Sequence, residues 1–145
     1  MPPGAALCSG GSRALVISEG LLIYLGDDGA SALARDLSAA PSFRRWATDL
    51  ASPGLLKMLQ KAVGGTLAAA DSPLKFAPRE GPAFFEPSGW TPLEARSMLH
   101  IAAKLRRLSL MMRLFSLLPD HGGRKPDQPW GGICLFENQG TGRTA

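Results

Sequence analysis

The sequence predicts an α/β protein, and three observations carry that prediction. Two apolar runs, Ala14 to Ile17 and Ile133 to Phe136, are unbroken by polar residues and too short for helices, as strands inside a sheet are. Other segments place apolar residues at alternating three and four spacing, the pattern of helices covering a sheet. Glycines and prolines gather between the two kinds of segment, where turns belong.

In chain order, Ala14 to Ile17 gives way to Ser18, Glu19 and Gly20 and reads as a strand buried on both faces. Asp27 and Asp28 then open a helix whose positive N-terminus suits their charge, with Ala30, Leu33, Ala34 and Leu37 on its buried stripe. Pro41 and Ser42 close it, and Phe43 to Leu50 reads as a second strand. A strand, helix, strand unit of this length predicts a parallel pair with a right-handed crossover. Ser52 and Pro53 supply the N-cap and first turn of a helix to about Val63. Its core face is Leu55, Met58, Leu59 and Ala62, with Lys57 and Lys61 outward. Gly64 and Gly65 are its expected stop, with one further turn over 66–70.

The stretch from Asp71 to Trp90 is rich in proline and glycine and reads as loop, with Ala83 to Phe85 as a short strand inside it. Thr91, Pro92 and Glu94 spell a capping box with proline at the first helical position. They predict a long helix with Met98, Ile101, Leu105, Leu108, Met112 and Phe115 on its apolar stripe. Arg96, His100, Lys104 and Arg107 fall on its solvent side, and Pro119, Gly122 and Gly123 end it. Ile133 to Phe136 is then a central strand.

A chain of 145 residues suffices for one domain or part of one. With 45% hydrophobic and 19% charged residues it belongs with globular proteins, not with disordered or membrane ones. The net charge of +4 is scattered rather than gathered in a tract, which argues against nucleic-acid binding. Residues 1–12 read as a flexible leader without the basic start of a signal peptide, and 139–145 as a flexible tail. The greasiest segment, Leu108 to Leu118, contains Arg113 and falls short of the roughly 20 apolar residues of a membrane span. Cys8 and Cys134 lie in unlike settings, so a reduced, cytoplasmic protein without a structural disulfide is expected.

Among chemical signals, His100 and His121 have no partner at ligand spacing, so they read as surface residues and no metal site is expected. No G-x-S-x-G elbow appears. Gly140, Thr141 and Gly142 form a G-x-G only in the tail, away from any strand-to-helix turn where it could hold a phosphate. The carboxylate and glycine after the first strand are better placed, because ligands of open α/β sheets gather beyond the carboxyl ends of strands. The basic face of the long helix is the ordinary solvated side of a helix covering a sheet.

The segment EGLLIYL, Glu19 to Leu25, resembles the EGLLMYL-type signature of S-adenosylmethionine-dependent methyltransferases of the leucine carboxyl methyltransferase-like group, with Ile23 in the methionine place. ATDLASP (Ala47 to Pro53), GPAFFEPSGW (Gly81 to Trp90) and PWGGICLFEN (Pro129 to Asn138) are similar to later segments of that family, in the same order. The family's glycine-rich cofactor loop and its ribose-holding acid precede the EGLLMYL segment, and nothing here corresponds to them. The resemblance therefore implies the C-terminal half of a class I, Rossmann-like methyltransferase domain over 13–138. It implies the last four strands of a seven-stranded sheet, in the order first, second, fourth, third, with the last antiparallel. A half-sheet of this kind leaves the first strand with an unpaired hydrophobic edge.

The reaction implied is methyl transfer from S-adenosyl-L-methionine to an oxygen, a carboxylate of a small molecule or peptide. An ionised carboxylate needs no base, so positioning and exclusion of water do most of the catalysis and no catalytic side chain is assigned. By resemblance Glu19 and Gly20 lie beside the cofactor, the carboxylate suiting the sulfonium and the glycine admitting the backbone, and Tyr24 orients the accepting oxygen. The implied partners are the substrate and a missing N-terminal half, with neither nucleic acid nor membrane. A non-catalytic interaction module on the same half-fold is the alternative.

Overall fold

The computed structural model describes residues 13–69, 73–104 and 120–140. Its centre is one mixed four-stranded sheet in the order β1-β2-β4-β3. The strands are β1 (Ala14–Ser18), β2 (Phe43–Ala51), β3 (Trp90–Ser97) and β4 (Gly131–Asn138). β1 and β2 are parallel, with Val16 opposite Trp46 and Ser18 opposite Thr48. β4 runs antiparallel to both β2 and β3, pairing Trp46 with Phe136 and Ala95 with Cys134. The expected order, and the antiparallel last strand lying inside the sheet, are both present.

Helix α1 (Asp27–Ala39) carries Asp27 and Asp28 in its first turn and buries Ala30 and Ala34. Leu33 and Leu37 pack from it onto the core, completing the stripe that its spacing predicts. Helix α2 (Pro53–Ala69) starts where Ser52 and Pro53 indicate. The Ser52 Oγ accepts from the Leu55 amide at 3.2 Å and the Trp130 amide at 2.8 Å, and donates to the Gln128 carbonyl at 2.7 Å. One N-cap hydroxyl thus ties the helix start to the approach to β4.

Three expectations for the helices and loops are corrected. Helix α2 runs through Gly64 and Gly65 to Ala69, because a glycine inside a helix costs only about 1 kcal/mol and the residues after it are good helix formers. The expected core face of α2 is only partly buried: Met58 is 54% exposed and Ala62 is exposed, while Leu55 and Leu59 are half-buried. Ala83 to Phe85 lies in a 3-10 helix, Gly81–Ser88, which rolls Phe85 beneath the sheet.

The capping box is the fourth correction. Thr91, Pro92 and Glu94 lie in strand β3, and helix α3 (Met98–Lys104) begins only after it. Trp90 decides the matter. Its side chain is fully buried, its indole Nε1 donates to the Ala34 carbonyl at 2.8 Å, and the residues after it pair with β4. Pro92 is tolerated because β3 is an edge strand with a register irregularity between Pro92 and Glu94. The remainder of the expected long helix, including Leu105, Leu108, Met112 and Phe115, lies outside the described residues, as do the leader, Cys8 and 141–145.

Among the described residues the sheet is covered on one face. Trp46, Phe85, Trp90 and Phe136 meet there with ring centroids 5.0 to 5.6 Å apart, Phe85 and Trp90 edge-on to Trp46. Such pairs add to the burial of their area. α1 and the Gly81–Ser88 turn close this side. On the opposite face Leu15, Ile17 and Ile133 are 53%, 70% and 46% exposed. β1 is therefore buried on one face, not two: Val16 packs inward, and its neighbours Leu15 and Ile17 point to solvent. Among the described residues no helix is long and apolar enough to cross a membrane.

Candidate functional site

The carboxyl end of β1 is fastened to β2 by side chains. The Trp46 Nε1 donates to Ser18 Oγ and the Ser18 hydroxyl donates to Thr48 Oγ1, each at 2.9 Å. Beyond Ser18 the chain turns sharply at Gly20, whose φ of 61° lies in the left-handed region and whose absent Cβ faces open space. The Gly20 amide donates to Asp49 Oδ1 at 2.9 Å. Asp49 belongs to β2, so a second carboxylate stands at the same end of the sheet as Glu19.

Glu19 is exposed, and the hollow expected beside it is not closed by the described residues. A short 3-10 turn, Leu22–Tyr24, follows. Its Leu22 is buried and its Ile23 carbonyl accepts from the amides of Lys75 and Phe76 at 2.7 and 3.1 Å, which holds the turn against the 73–78 segment. Tyr24 is 41% exposed. Glu19, Gly20 and Tyr24 thus share one connection, from β1 to α1, with both side chains turned to solvent.

Two concavities bear on this geometry. The one at the carboxyl ends of the strands is a cavity of about 170 Å³ lined by Leu22, Ile23, Asp49, Leu55, Phe76 and Met98 among others. It is smaller than the roughly 300 Å³ at which ligand pockets begin. The larger, about 570 Å³, is an open cleft at the amino-terminal end of β1, between Arg13, Arg44, Arg45 and Glu137. The candidate site is the smaller one, where strand ends meet Leu22 and Ile23 of the connection from β1 to α1; Glu19, Gly20 and Tyr24 do not line it.

Asp49 is the site residue that the sequence reading does not single out. The signal was available: it sits inside ATDLASP, two residues before the end of β2, level with the strand end that carries Glu19.

A second polar cluster sits apart from this site. Asp120 accepts at Oδ1 from the Trp130 indole at 2.8 Å and the Gly122 amide at 2.9 Å, and at Oδ2 from the Ser97 amide at 3.0 Å. Burial pushes its carboxyl up, yet these donors, with His100 nearby, outweigh it and hold the group below its ordinary range. His100 Nδ1 stands 4.0 Å from Asp120 Oδ2 and the His121 ring lies against Trp130, so both histidines are half-buried, not surface residues. Among the described residues no three metal-ligating side chains gather. Cys134 is fully buried, and burial, seconded by the charges of Asp49 and Asp120, pushes its thiol up to about 12. It is chemically silent at neutral pH.

No known protein family matches this chain, and no curated protein matches it.

Proposed function

We propose that this chain is the C-terminal half of an S-adenosyl-L-methionine-dependent O-methyltransferase, acting on a carboxylate of a small molecule or peptide once an N-terminal half completes the sheet. The observation that carries the proposal is the order β1-β2-β4-β3 with β4 antiparallel to both neighbours. The resemblance at Glu19 to Leu25 implies this arrangement, whereas strand and helix periodicity alone does not order strands in space.

The residues present fit one wall of a cofactor site. Glu19 follows the strand end as an exposed carboxylate, suited to a sulfonium and an ammonium, and Gly20 leaves its turn free of side chain. Asp49 holds that turn by its Gly20 bond. Tyr24, exposed on the same connection, is the residue to orient the accepting oxygen. The bound cofactor would supply an already activated methyl group, and the protein would hold the acceptor in line and keep water out. Glu19 is exposed and does not line the small cavity, so this reading depends on the N-terminal half to supply the facing wall. The protein is then a cytoplasmic enzyme component.

The second reading, a non-catalytic interaction module, draws on the exposed Leu15 and Ile17 of β1. Calorimetric titration of S-adenosyl-L-methionine separates the two. The test uses this chain alone and then mixed with a polypeptide carrying the glycine-rich loop and first three strands of a leucine carboxyl methyltransferase-like enzyme. Binding only in the mixture, lost with Glu19→Gln, supports the half-enzyme. Tight binding by the chain alone overturns the half-site, and a stable mixed complex that binds no cofactor leaves the interaction module.

A further inference from the structure

We propose that two copies of this chain associate through β1, the strands pairing antiparallel about a two-fold axis at Val16, to form one continuous eight-stranded sheet. This does not rest on methyl transfer; the second copy takes the edge of β1 that an N-terminal half would otherwise fill, so the dimer is a state of this chain without that half.

Among the described residues the sheet has two unpaired edges, and they differ. β3 carries Pro92, a register irregularity beside it and the exposed ion pair of Glu94 with Arg96. These are devices that discourage a further strand. β1 lacks the proline and the ion pair. Its irregularity with β2 falls at the Ala14/Leu15 end, and its outward face presents Leu15 and Ile17, 53% and 70% exposed. An unprotected, apolar edge is a template for another strand.

The order of residues along β1 then selects the occupant. From Arg13 to Glu19 the chain reads RALVISE, with opposite charges at equal distances from Val16. Antiparallel pairing centred on Val16 sets Arg13 opposite Glu19 of the second copy, Leu15 opposite Ile17, and Ala14 opposite Ser18. The alternation of β1 puts Leu15 and Ile17 on its exposed side, and Arg13 and Glu19, which flank the strand, are exposed as well. Each copy thus meets a cation with an anion and an apolar side chain with an apolar side chain, twice over, as a self-complementary two-fold interface does. Parallel self-pairing in register would set Arg13 against Arg13 and Glu19 against Glu19.

The interface is short, so association is concentration-dependent. Sedimentation equilibrium of the purified full chain, from micromolar to millimolar concentration, reads it directly. A reversible shift from monomer to dimer mass is expected at low salt, weakened by added salt as the two charge pairs are screened. Arg13→Glu and Glu19→Arg, each alone, are expected to lower the association at least tenfold, and the double exchange R13E/E19R to restore it. Both positions are exposed, so folding is retained, and far-ultraviolet circular dichroism checks that it is. Ile17→Lys is expected to give monomer throughout. A chain that stays monomeric overturns the proposal, as does a dimer that ignores the single charge reversals or that the double exchange fails to rescue. None of these readouts involves the cofactor, so their failure and that of the methyltransferase reading are distinguishable.

Discussion

On one face of the sheet Trp46, Phe85, Trp90 and Phe136 lock edge to face and exclude water; on the other Leu15, Ile17 and Ile133 stand exposed in the single chain. The strands alternate, so both faces are drawn from the same segments, one residue apart. What separates them is cover. The helix α1 and the Gly81–Ser88 turn lie over the first face. The second shows the row Ile17, Ala47 and Leu135, ended by Glu94, between rows containing Arg45 and Glu137 on one side and Asp49 and Arg96 on the other. A sheet face bearing apolar residues without a layer over it is half of a two-layer core. Folding is secured from the covered face, while the exposed Leu15 and Ile17 are the side chains that the proposed pairing of β1 would bring together.

The sharpest way to break this comparison is to empty the covered face. Trp46→Ala removes a fully buried ring and the donor that fastens Ser18. A loss of about 3 to 5 kcal/mol is expected, a large share of the about 5 to 15 kcal/mol that holds an ordinary domain folded, read as a fall in the urea midpoint. A smaller effect is expected at Asp120, which fastens the end of β3 to the loop preceding β4 through three donors. Asp120→Asn should cost about 1 to 2 kcal/mol at neutral pH. It should also change the response to acid. The folded carboxyl lies below its unfolded value, so its stabilisation is present above the ordinary carboxylate range and is lost as pH falls through the folded value. Urea midpoints followed from about pH 7 to about pH 2 should therefore fall less steeply in the variant. An unchanged acid limb would show that Asp120 is not held as described. The smallest effect is expected on the bare face, where Ile133→Ala should move stability by no more than about 0.5 kcal/mol. A loss comparable to that of Trp46→Ala would mean that this face is covered after all.

The sequence by itself determined where most elements start. Ser52 with Pro53, and Asp27 with Asp28, act within one turn of their own positions, and the α1 stripe Ala30, Leu33, Ala34 and Leu37 reads directly from spacing. The run Glu19 to Leu25 marks the strand end within a single segment of chain. Only the tertiary structure decided the rest, because it depends on partners distant along the chain. Thr91, Pro92 and Glu94 have the local chemistry of a helix start, yet Trp90 is captured by α1 and the neighbouring backbone by β4, and their combined bonds outweigh one cap. Asp49 joins the site only because β2 lies beside β1, and the apolar run of β1 is buried on one side only because these residues place no layer over the other. Local signals fix where a segment begins; which of its faces is dry is settled by what packs on it.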